Sequence, residues 1–175
     1  MNILDRAACN KLHAESNPCR FFEYLMALFA ASFNHELSMF FWAFGLLLLP
    51  YNYASYITAI FIPLLTMLLV LGLKKAFARD RPAICRPRMD ALKYNFRGKE
   101  RSKSMPSGDS AQAAAFWCFL VLNGLIPWWI AVILTMFTMG ARVYYLCHFP
   151  TDTIVGAAIG IIMTCSIDFG VKTWI

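Results

Sequence analysis

The sequence predicts an all-α, multi-pass transmembrane helical bundle, and its composition and pattern support this class. Of its residues, 59% are hydrophobic and 15% are charged, whereas a typical soluble domain has about 25% charged residues. The apolar residues are grouped in runs, some of which approach the roughly 20 residues that a transmembrane helix needs. The length of 175 residues is that of one domain. We expect residues 1–35 to form an amphipathic N-terminal segment and residues 36–172 to form the transmembrane core.

Each long apolar run is predicted to be one membrane-spanning helix. The five runs are Leu37–Leu49 with its flanks, Ser55–Leu73, Ala111–Ile126, Trp128–Leu146 and Thr153–Phe169. Pro63 lies inside the second run, where we expect a kink and compensation by neighbouring helices for the unpaired carbonyl. The shorter apolar stretch Phe21–Phe33 contains Glu23, which predicts an interfacial helix, with a sixth span as the alternative.

Positive charge is concentrated between the second and third runs. Residues Lys74–Lys103 contain 11 of the 16 lysines and arginines, within a connection of about 75–106 whose length is typical of a functional or disordered loop. A basic loop between apolar runs more often faces lipid headgroups than nucleic acid. We therefore expect membrane lipids and no nucleic acid as partners. The six cysteines form no Cys-x-x-Cys pair and indicate neither a zinc site nor a disulfide framework.

Three polar patterns are expected on one membrane face, because two predicted spans separate the basic loop from the segment Arg142–Asp152. The first pattern is Lys74-x6-Arg81-Pro82, at the end of the second run. A lysine at a helix end and an arginine beyond it can converge on an anion. The alternative is that both side chains only extend to lipid headgroups.

The second pattern is Pro106-Ser107-Gly108-Asp109, directly before the third run. A turn that opens a helix offers backbone N–H groups and the positive end of the helix dipole to a phosphate. The Ser107 hydroxyl can add a further donor. Alternatively, Ser107 is only an N-cap and Asp109 a favourable acid in the first turn.

The third pattern is Arg142-x5-His148-x3-Asp152, between the fourth and fifth runs. Arginine near a membrane helix usually has a partner or an anion. The carboxylate of Asp152 can orient the imidazole of His148, which leaves one ring nitrogen as a nucleophile. A histidine at a helix end is often structural, but three patterns on one face favour a phosphate site.

In order and spacing these patterns resemble the motifs of the type 2 phosphatidic acid phosphatases, a family related to bacterial acid phosphatases and vanadium haloperoxidases. The family motifs are K-x6-RP, PSGH and SR-x5-H-x3-D, and the resemblance covers about Leu69–Gly160. The loop at Met89-Asp90 and the short N-terminal region are most similar to the polyisoprenoid diphosphate branch. The implied location is a multi-pass membrane protein, in the endoplasmic reticulum or another endomembrane of a eukaryote or the inner or plasma membrane of a bacterium.

The resemblance implies a role for each matching residue. His148 would attack phosphorus to form a phosphohistidine, and Asp152 would hold its ring. The substrate would be a lipid phosphate or diphosphate, and no cofactor or metal is implied, because fixed cations would stabilise the phosphoryl charge. The residues assigned to the phosphoryl oxygens are Lys74, Arg81, Ser107, Gly108 and Arg142.

Two positions depart from the family pattern. Ala141 replaces a serine, and Asp109 replaces the histidine that acts as general acid in the family. An aspartate beside three cations should be ionised at neutral pH and cannot donate a proton. Three functions follow from this: an isoprenoid diphosphate phosphatase in which Asp109 activates water, a phosphatidic acid or sphingoid monophosphate phosphatase, or a weakly catalytic protein that binds anionic lipid or a membrane partner. The sequence does not indicate an oligomeric state.

Overall fold

The computed structural model describes residues 3–14, 19–34, 37–49, 52–84, 86–99 and 102–174. Within these ranges the chain is helical and has no strand, which confirms the all-α prediction. The predicted boundary at residues 35 and 36 falls outside the described residues, as does Cys85. The helices are α1 Ile3–Ala14, α2 Arg20–Ser32, α3 Ser38–Leu48, α4 Tyr53–Phe77, α5 Arg86–Ala91, a 3-10 turn Arg97–Lys99, α6 Gly108–Leu122, α7 Trp128–Tyr144 and α8 Pro150–Trp174.

Each of the five predicted spans coincides with one helix. Helices α4 and α8 have 25 residues each, about 37 Å at 1.5 Å per residue, and both are apolar and long enough to cross a membrane. Helices α3, α6 and α7 are apolar but shorter. The stretch around Phe21–Phe33 forms α2, which packs along α7; its interfacial position stays a prediction.

Helix α6 lies at the centre of the bundle and packs against α4, α7 and α8. Glycines one turn apart allow α8 to approach it closely, because a Cβ at Gly156 would overlap the carbonyl oxygen of Ser107 and one at Gly160 would overlap that of Ala111. This contact resembles the small-residue packing of membrane helices. It holds the start of α8 beside the start of α6, where the Ser107 N–H donates to the Asp152 carbonyl at 3.0 Å.

A buried amide joins three helices near the proline of α4. Helix α4 continues through Pro63, and the Gln112 Nε2 of α6 donates to the Pro63 carbonyl at 2.9 Å. The Oε1 of Gln112 accepts from the indole Nε1 of Trp42 in α3 at 3.1 Å. This side chain fixes α3 relative to α4 and α6. The carbonyl that the proline leaves without its helical donor is that of Ala59, so compensation for it by neighbouring helices stays a prediction.

The basic connection is more structured than its sequence predicted. Helix α4 extends to Phe77, and α5 and the 3-10 turn follow. The buried Glu23 of α2 accepts hydrogen bonds from the backbone N–H groups of Lys93 and Tyr94 and pairs with Arg20. Because unpaired carboxylates are costly to bury, Glu23 is best satisfied when the loop is folded onto α2.

Candidate active site

The end of α7 determines where the third motif lies. Leu146 is buried and adopts a left-handed conformation with φ of 52°. Its N–H donates to the Val143 carbonyl, and the Cys147 N–H donates to the Arg142 carbonyl, each at 2.9 Å. This pattern is a Schellman motif. It reverses the chain, so that His148 returns toward the last turn of α7, where Arg142 lies.

The end of α4 uses a similar reversal for the first motif. Ala78 has a φ of 46°, and its N–H donates to the Lys74 carbonyl at 3.1 Å. Beyond this residue the chain turns back and brings Arg81 near Lys74. The Ser102 hydroxyl joins the two cations, at 3.2 Å from the Lys74 Nζ and 3.1 Å from the Arg81 Nη2.

His148 is buried, and the contacts of its ring define its tautomer. Its Nδ1 lies 2.7 Å from the carbonyl oxygen of Ser104, which can only accept a hydrogen bond, so Nδ1 carries the proton. Its Nε2 lies 3.2 Å from the Nη1 of Arg81, which can only donate. The lone pair of the neutral ring is therefore on Nε2, beside a cation of the first motif.

Asp152 is fully buried beside this histidine. Its Oδ2 lies 3.8 Å from the His148 Nδ1, beyond the range of a hydrogen bond. The same oxygen accepts from the Ser104 hydroxyl and, at 3.0 Å, from the Phe149 N–H. Ser104 thus contacts both the carboxylate and the ring and links them. The role of Asp152 in orienting the ring stays a prediction.

The surroundings of His148 keep its ring neutral. Burial lowers its pKa to about 3, and the positive charges of Arg81, Arg142 and Lys74 act in the same direction, against the opposing effect of Asp152. An ordinary histidine has a pKa of about 6.5. At neutral pH the ring therefore retains the lone pair that a nucleophile requires.

This charge state can be measured directly. The chain has three histidines. The experiment records the imidazole ¹⁵N signals of histidine-labelled protein in detergent. We expect the signals of His148 to keep the pattern of a neutral ring protonated at Nδ1 from pH 8 to pH 5, because its lowered pKa lies below this range. The same signals should be missing from His148→Gln, which assigns them. Titration of the assigned ring near pH 6.5 would contradict the buried, neutral state.

Ser107 occupies the N-cap position of α6 and is fully buried. Its hydroxyl oxygen accepts from the Ser110 N–H at 3.3 Å and lies 3.0 Å from the Ser110 hydroxyl. The structure thus contains the N-cap that the sequence offered as one interpretation. Gly108 follows as the first residue of the helix, so the N-terminus of α6 is directed at the same region as the motif side chains.

Arg142 and Asp109 form a close ion pair across the site. The Nη2 of Arg142 lies 2.5 Å from the Oδ2 of Asp109, and its Nη1 donates to the Ala30 carbonyl of α2 at 3.2 Å. Arg142 is almost completely buried, whereas the Asp109 side chain is 17% exposed. The residue that departs from the family motif is therefore in direct contact with a cation of the third motif.

Comparisons with known proteins identify the family of this chain. A model of the PAP2 superfamily matches residues 52–168, which include all three motifs. The chain belongs to the PAP2 superfamily. A search of curated proteins finds no significant match.

Two crystal structures share the fold of this PAP2 protein. LpxE from Aquifex aeolicus superposes with a TM-score of 0.67 at 26% identity, over 94% of this chain and 92% of LpxE. The first transmembrane PAP2 type phosphatidylglycerolphosphate phosphatase from Bacillus subtilis gives 0.67 at 21% identity, over 98% and 86% of the two chains. The chain is thus a membrane phosphatase of the PAP2 type, a hydrolase of phosphate esters.

Sequence reasoning missed several residues of this PAP2 site. Ser102 and Ser104 enter it from the basic loop, and Arg79 donates to Asp152 from within the first motif. Their only sequence signal is proximity to the motifs. Among the described residues, no group of three His, Cys, Asp or Glu side chains could hold a metal ion.

Proposed function

We propose that this PAP2 protein cleaves a lipid diphosphate or phosphate through a phosphohistidine at Nε2 of His148. The observation that carries the proposal is the fixed tautomer: the Nδ1 proton is held by the Ser104 carbonyl at 2.7 Å, and Nε2 faces Arg81. A buried neutral imidazole with a directed lone pair is suited to nucleophilic attack. A merely structural histidine does not require a cation at its free nitrogen.

In the first step, Nε2 attacks the terminal phosphorus, a P–N bond forms, and the P–O bond to the leaving group breaks with its electron pair on the leaving oxygen. The leaving group is the lipid monophosphate for a diphosphate and the lipid alkoxide for a monophosphate. The charge of the phosphoryl oxygens would be balanced by the fixed cations and by the N–H groups at the start of α6. We assign Lys74, Arg81 and Arg142 as these cations, with Ser107 and Gly108 at the helix terminus.

In the second step, water attacks phosphorus and breaks the P–N bond, which releases inorganic phosphate and restores neutral His148. A base that accepts the proton of the water accelerates such a step by about 10² to 10⁴. We assign this role to Asp109, whose carboxylate lies at the edge of the site and is partly exposed. The positive charge on the phosphohistidine ring would be stabilised by Asp152, 3.8 Å away.

The ion pair of Asp109 favours a diphosphate substrate. A carboxylate bound at 2.5 Å by a guanidinium is stabilised in its ionised form and has no proton for a leaving alkoxide. The leaving group of a diphosphate is a phosphate monoester, which is stable without protonation. We therefore propose an isoprenoid diphosphate as the preferred substrate, with phosphatidic acid or a sphingoid phosphate as the alternative, for which another acid would be needed.

The test of substrate class compares the wild type with Asp109→His and Asp109→Asn. Phosphate release is measured from farnesyl diphosphate, phosphatidic acid, sphingosine phosphate and phosphatidylglycerolphosphate in mixed micelles with EDTA. We expect the wild type to prefer the diphosphate. Asp109→His restores an acid and should raise the ratio of monophosphatase to diphosphatase activity at least about tenfold. This expectation is conservative, because general acid–base assistance contributes about 10² or more to a rate.

Asp109→Asn is the matched control, because it preserves shape but can neither donate nor accept the proton in question. It should show a burst of lipid product from farnesyl diphosphate followed by a slow steady state. A wild type that prefers phosphatidic acid, or an unchanged ratio in Asp109→His, would contradict the proposed substrate class. The phosphohistidine mechanism would be unaffected by either result.

A further inference from the structure

The first helix of the chain carries a buried carboxylate that reaches the start of α8. Asp5 is fully buried, and its oxygens accept from the N–H and the hydroxyl of Thr151, at 3.2 and 2.9 Å. Burial raises the pKa of Asp5, but hydrogen bonds from Arg79 and Thr151 outweigh burial and hold the pKa below its ordinary value. This carboxylate is therefore charged, and one of its partners, Thr151, directly precedes Asp152.

Arg79 bridges this carboxylate to the one in the site. Its Nη2 lies 2.6 Å from the Asp5 Oδ2 and its Nη1 lies 2.7 Å from the Asp152 Oδ1. The Nη1 also donates to the Thr151 hydroxyl at 2.8 Å. With both oxygens of Asp152 engaged, by Arg79 on one side and by Ser104 and Phe149 on the other, its carboxylate has one orientation.

The backbone of Arg79 fixes a second part of the same network. Its carbonyl accepts from the Ser104 N–H at 2.8 Å. Ser104 in turn holds the Nδ1 proton of His148 with its carbonyl and donates from its hydroxyl to Asp152. A displacement of Arg79 would thus move both groups that determine the position of the imidazole.

Helix α1 packs through apolar contacts against the loop that carries His148. Cys9 packs with the buried Leu146 and Phe149, and Leu12 packs at the edge of this cluster. The guanidinium of Arg79 lies 4.2 Å from the centre of the Phe149 ring, on its face, a favourable cation–π geometry. Helix α1 therefore covers the Leu146 turn, and Asp5 is held at a defined distance from Arg79.

We propose that Asp5 and Arg79 are positioning residues for the reaction, and that α1 acts through them to orient the Asp152–Ser104–His148 array. This inference rests on the proposed function of His148. Neither residue contacts the candidate nucleophile, so each acts by fixing groups that do. Loss of the Asp5 charge leaves the Arg79 guanidinium without one of its two carboxylates and allows it to rotate away from Asp152.

The test uses the full chain with Asp5→Asn, Arg79→Met and the double variant. We expect Asp5→Asn to reduce the rate of phosphoenzyme formation about 10- to 100-fold, by analogy with the loss found when hydrogen-bond partners of metal ligands are removed, while KM changes less than about twofold. The double variant should be no slower than Arg79→Met alone, because both act through one link. The ¹⁵N signals of His148 should shift in both single variants.

Asp168→Asn is the matched control. Asp168 is also a largely buried aspartate in an ion pair, with Lys172 at 2.8 Å, but it lies near the far end of α8. The Asp168→Asn variant should have an unchanged rate of phosphoenzyme formation and unchanged ¹⁵N signals of His148. If Asp5→Asn fails to fold, Thr151→Val removes one link of the network and should be slower than Thr151→Ser, which keeps the hydroxyl.

The outcomes separate the two hypotheses. Unchanged phosphoenzyme formation and unchanged His148 signals in Asp5→Asn would overturn the positioning role. A loss of rate in Asp168→Asn as large as in Asp5→Asn would do the same, because it would indicate general destabilisation. If His148→Ala retains full activity, the proposed function fails, and the shift of the His148 signals still decides whether Asp5 positions the ring.

Discussion

His148→Ala is expected to lower kcat by about 10⁴ to 10⁶, since removal of a nucleophile from a catalytic array costs on the order of 10⁶ in the best-studied case. The ring combines a fixed lone pair with three neighbouring cations, as its contacts and lowered pKa indicate. Turnover is measured as phosphate release from farnesyl diphosphate by purified protein at matched concentration.

A second measurement tests the intermediate itself. Rapid acid-free quenching of wild-type enzyme with ³²P-labelled substrate should trap label on the protein in an acid-labile, alkali-stable form. His148→Gln is the shape-preserving control and should trap none. Residual turnover above about 1% of wild type, far more than the loss of a nucleophile allows, or label on His148→Gln, would assign the chemistry to another group.

Much of the fold could be predicted because membrane helices leave a strong pattern in the sequence. A span must be apolar along its length, so the five runs coincide with α3, α4, α6, α7 and α8. The motif residues were also predictable as a set, because their polar side chains lie at helix ends, where the apolar runs stop. The sequence placed Lys74, His148 and Asp109 on one face, and the structure brings their segments together.

The turns that orient these residues have no comparable pattern in the sequence. Ala78 and Leu146 adopt the left-handed conformation that normally favours glycine, and neither is a residue type that predicts a helix end. Leu146 is held there by burial against Cys9 and Phe149, a tertiary contact that offsets a local cost of about 1 kcal/mol or more. Local sequence rules cannot anticipate a conformation that distant packing imposes.

The hydrogen-bond network around Asp152 could not be predicted from the sequence for a related reason. Asp5 and Arg79 are 74 residues apart, and no pattern of spacing relates them. The sequence predicted that His148 and Asp152 lie close together, and the structure places them 3.8 Å apart. It could not show that Ser104 links them, because that residue comes from the basic loop. Buried polar groups find partners wherever the fold provides them, so such contacts emerge only with the three-dimensional arrangement.

The buried pair Arg142–Asp109 is expected to affect both the stability of the protein and the proposed reaction. Arg142 is 1% exposed, and truncating one partner of a buried ion pair costs about 3 to 5 kcal/mol because the other charge is left uncompensated. Asp109 retains some access to water, so the lower end of that range applies. A loss of activity in an Arg142 variant could therefore arise from unfolding or from loss of the phosphate-binding cation.

The final prediction separates these two causes. Arg142→Met should lower kcat/KM by about 10³ to 10⁵, the value of an arginine that stabilises a phosphoryl transition state, and should reduce the free energy of unfolding by about 3 kcal/mol. Combining it with Asp109→Asn removes the uncompensated charge, so thermal unfolding in detergent should recover most of the lost stability. The readout is kcat/KM, which reports the phosphoenzyme-forming step and not the later step assigned to Asp109. It should not recover, because the cation is still missing. Recovery of kcat/KM to the value of Asp109→Asn alone would show that Arg142 serves only to neutralise Asp109 and does not bind the phosphoryl group.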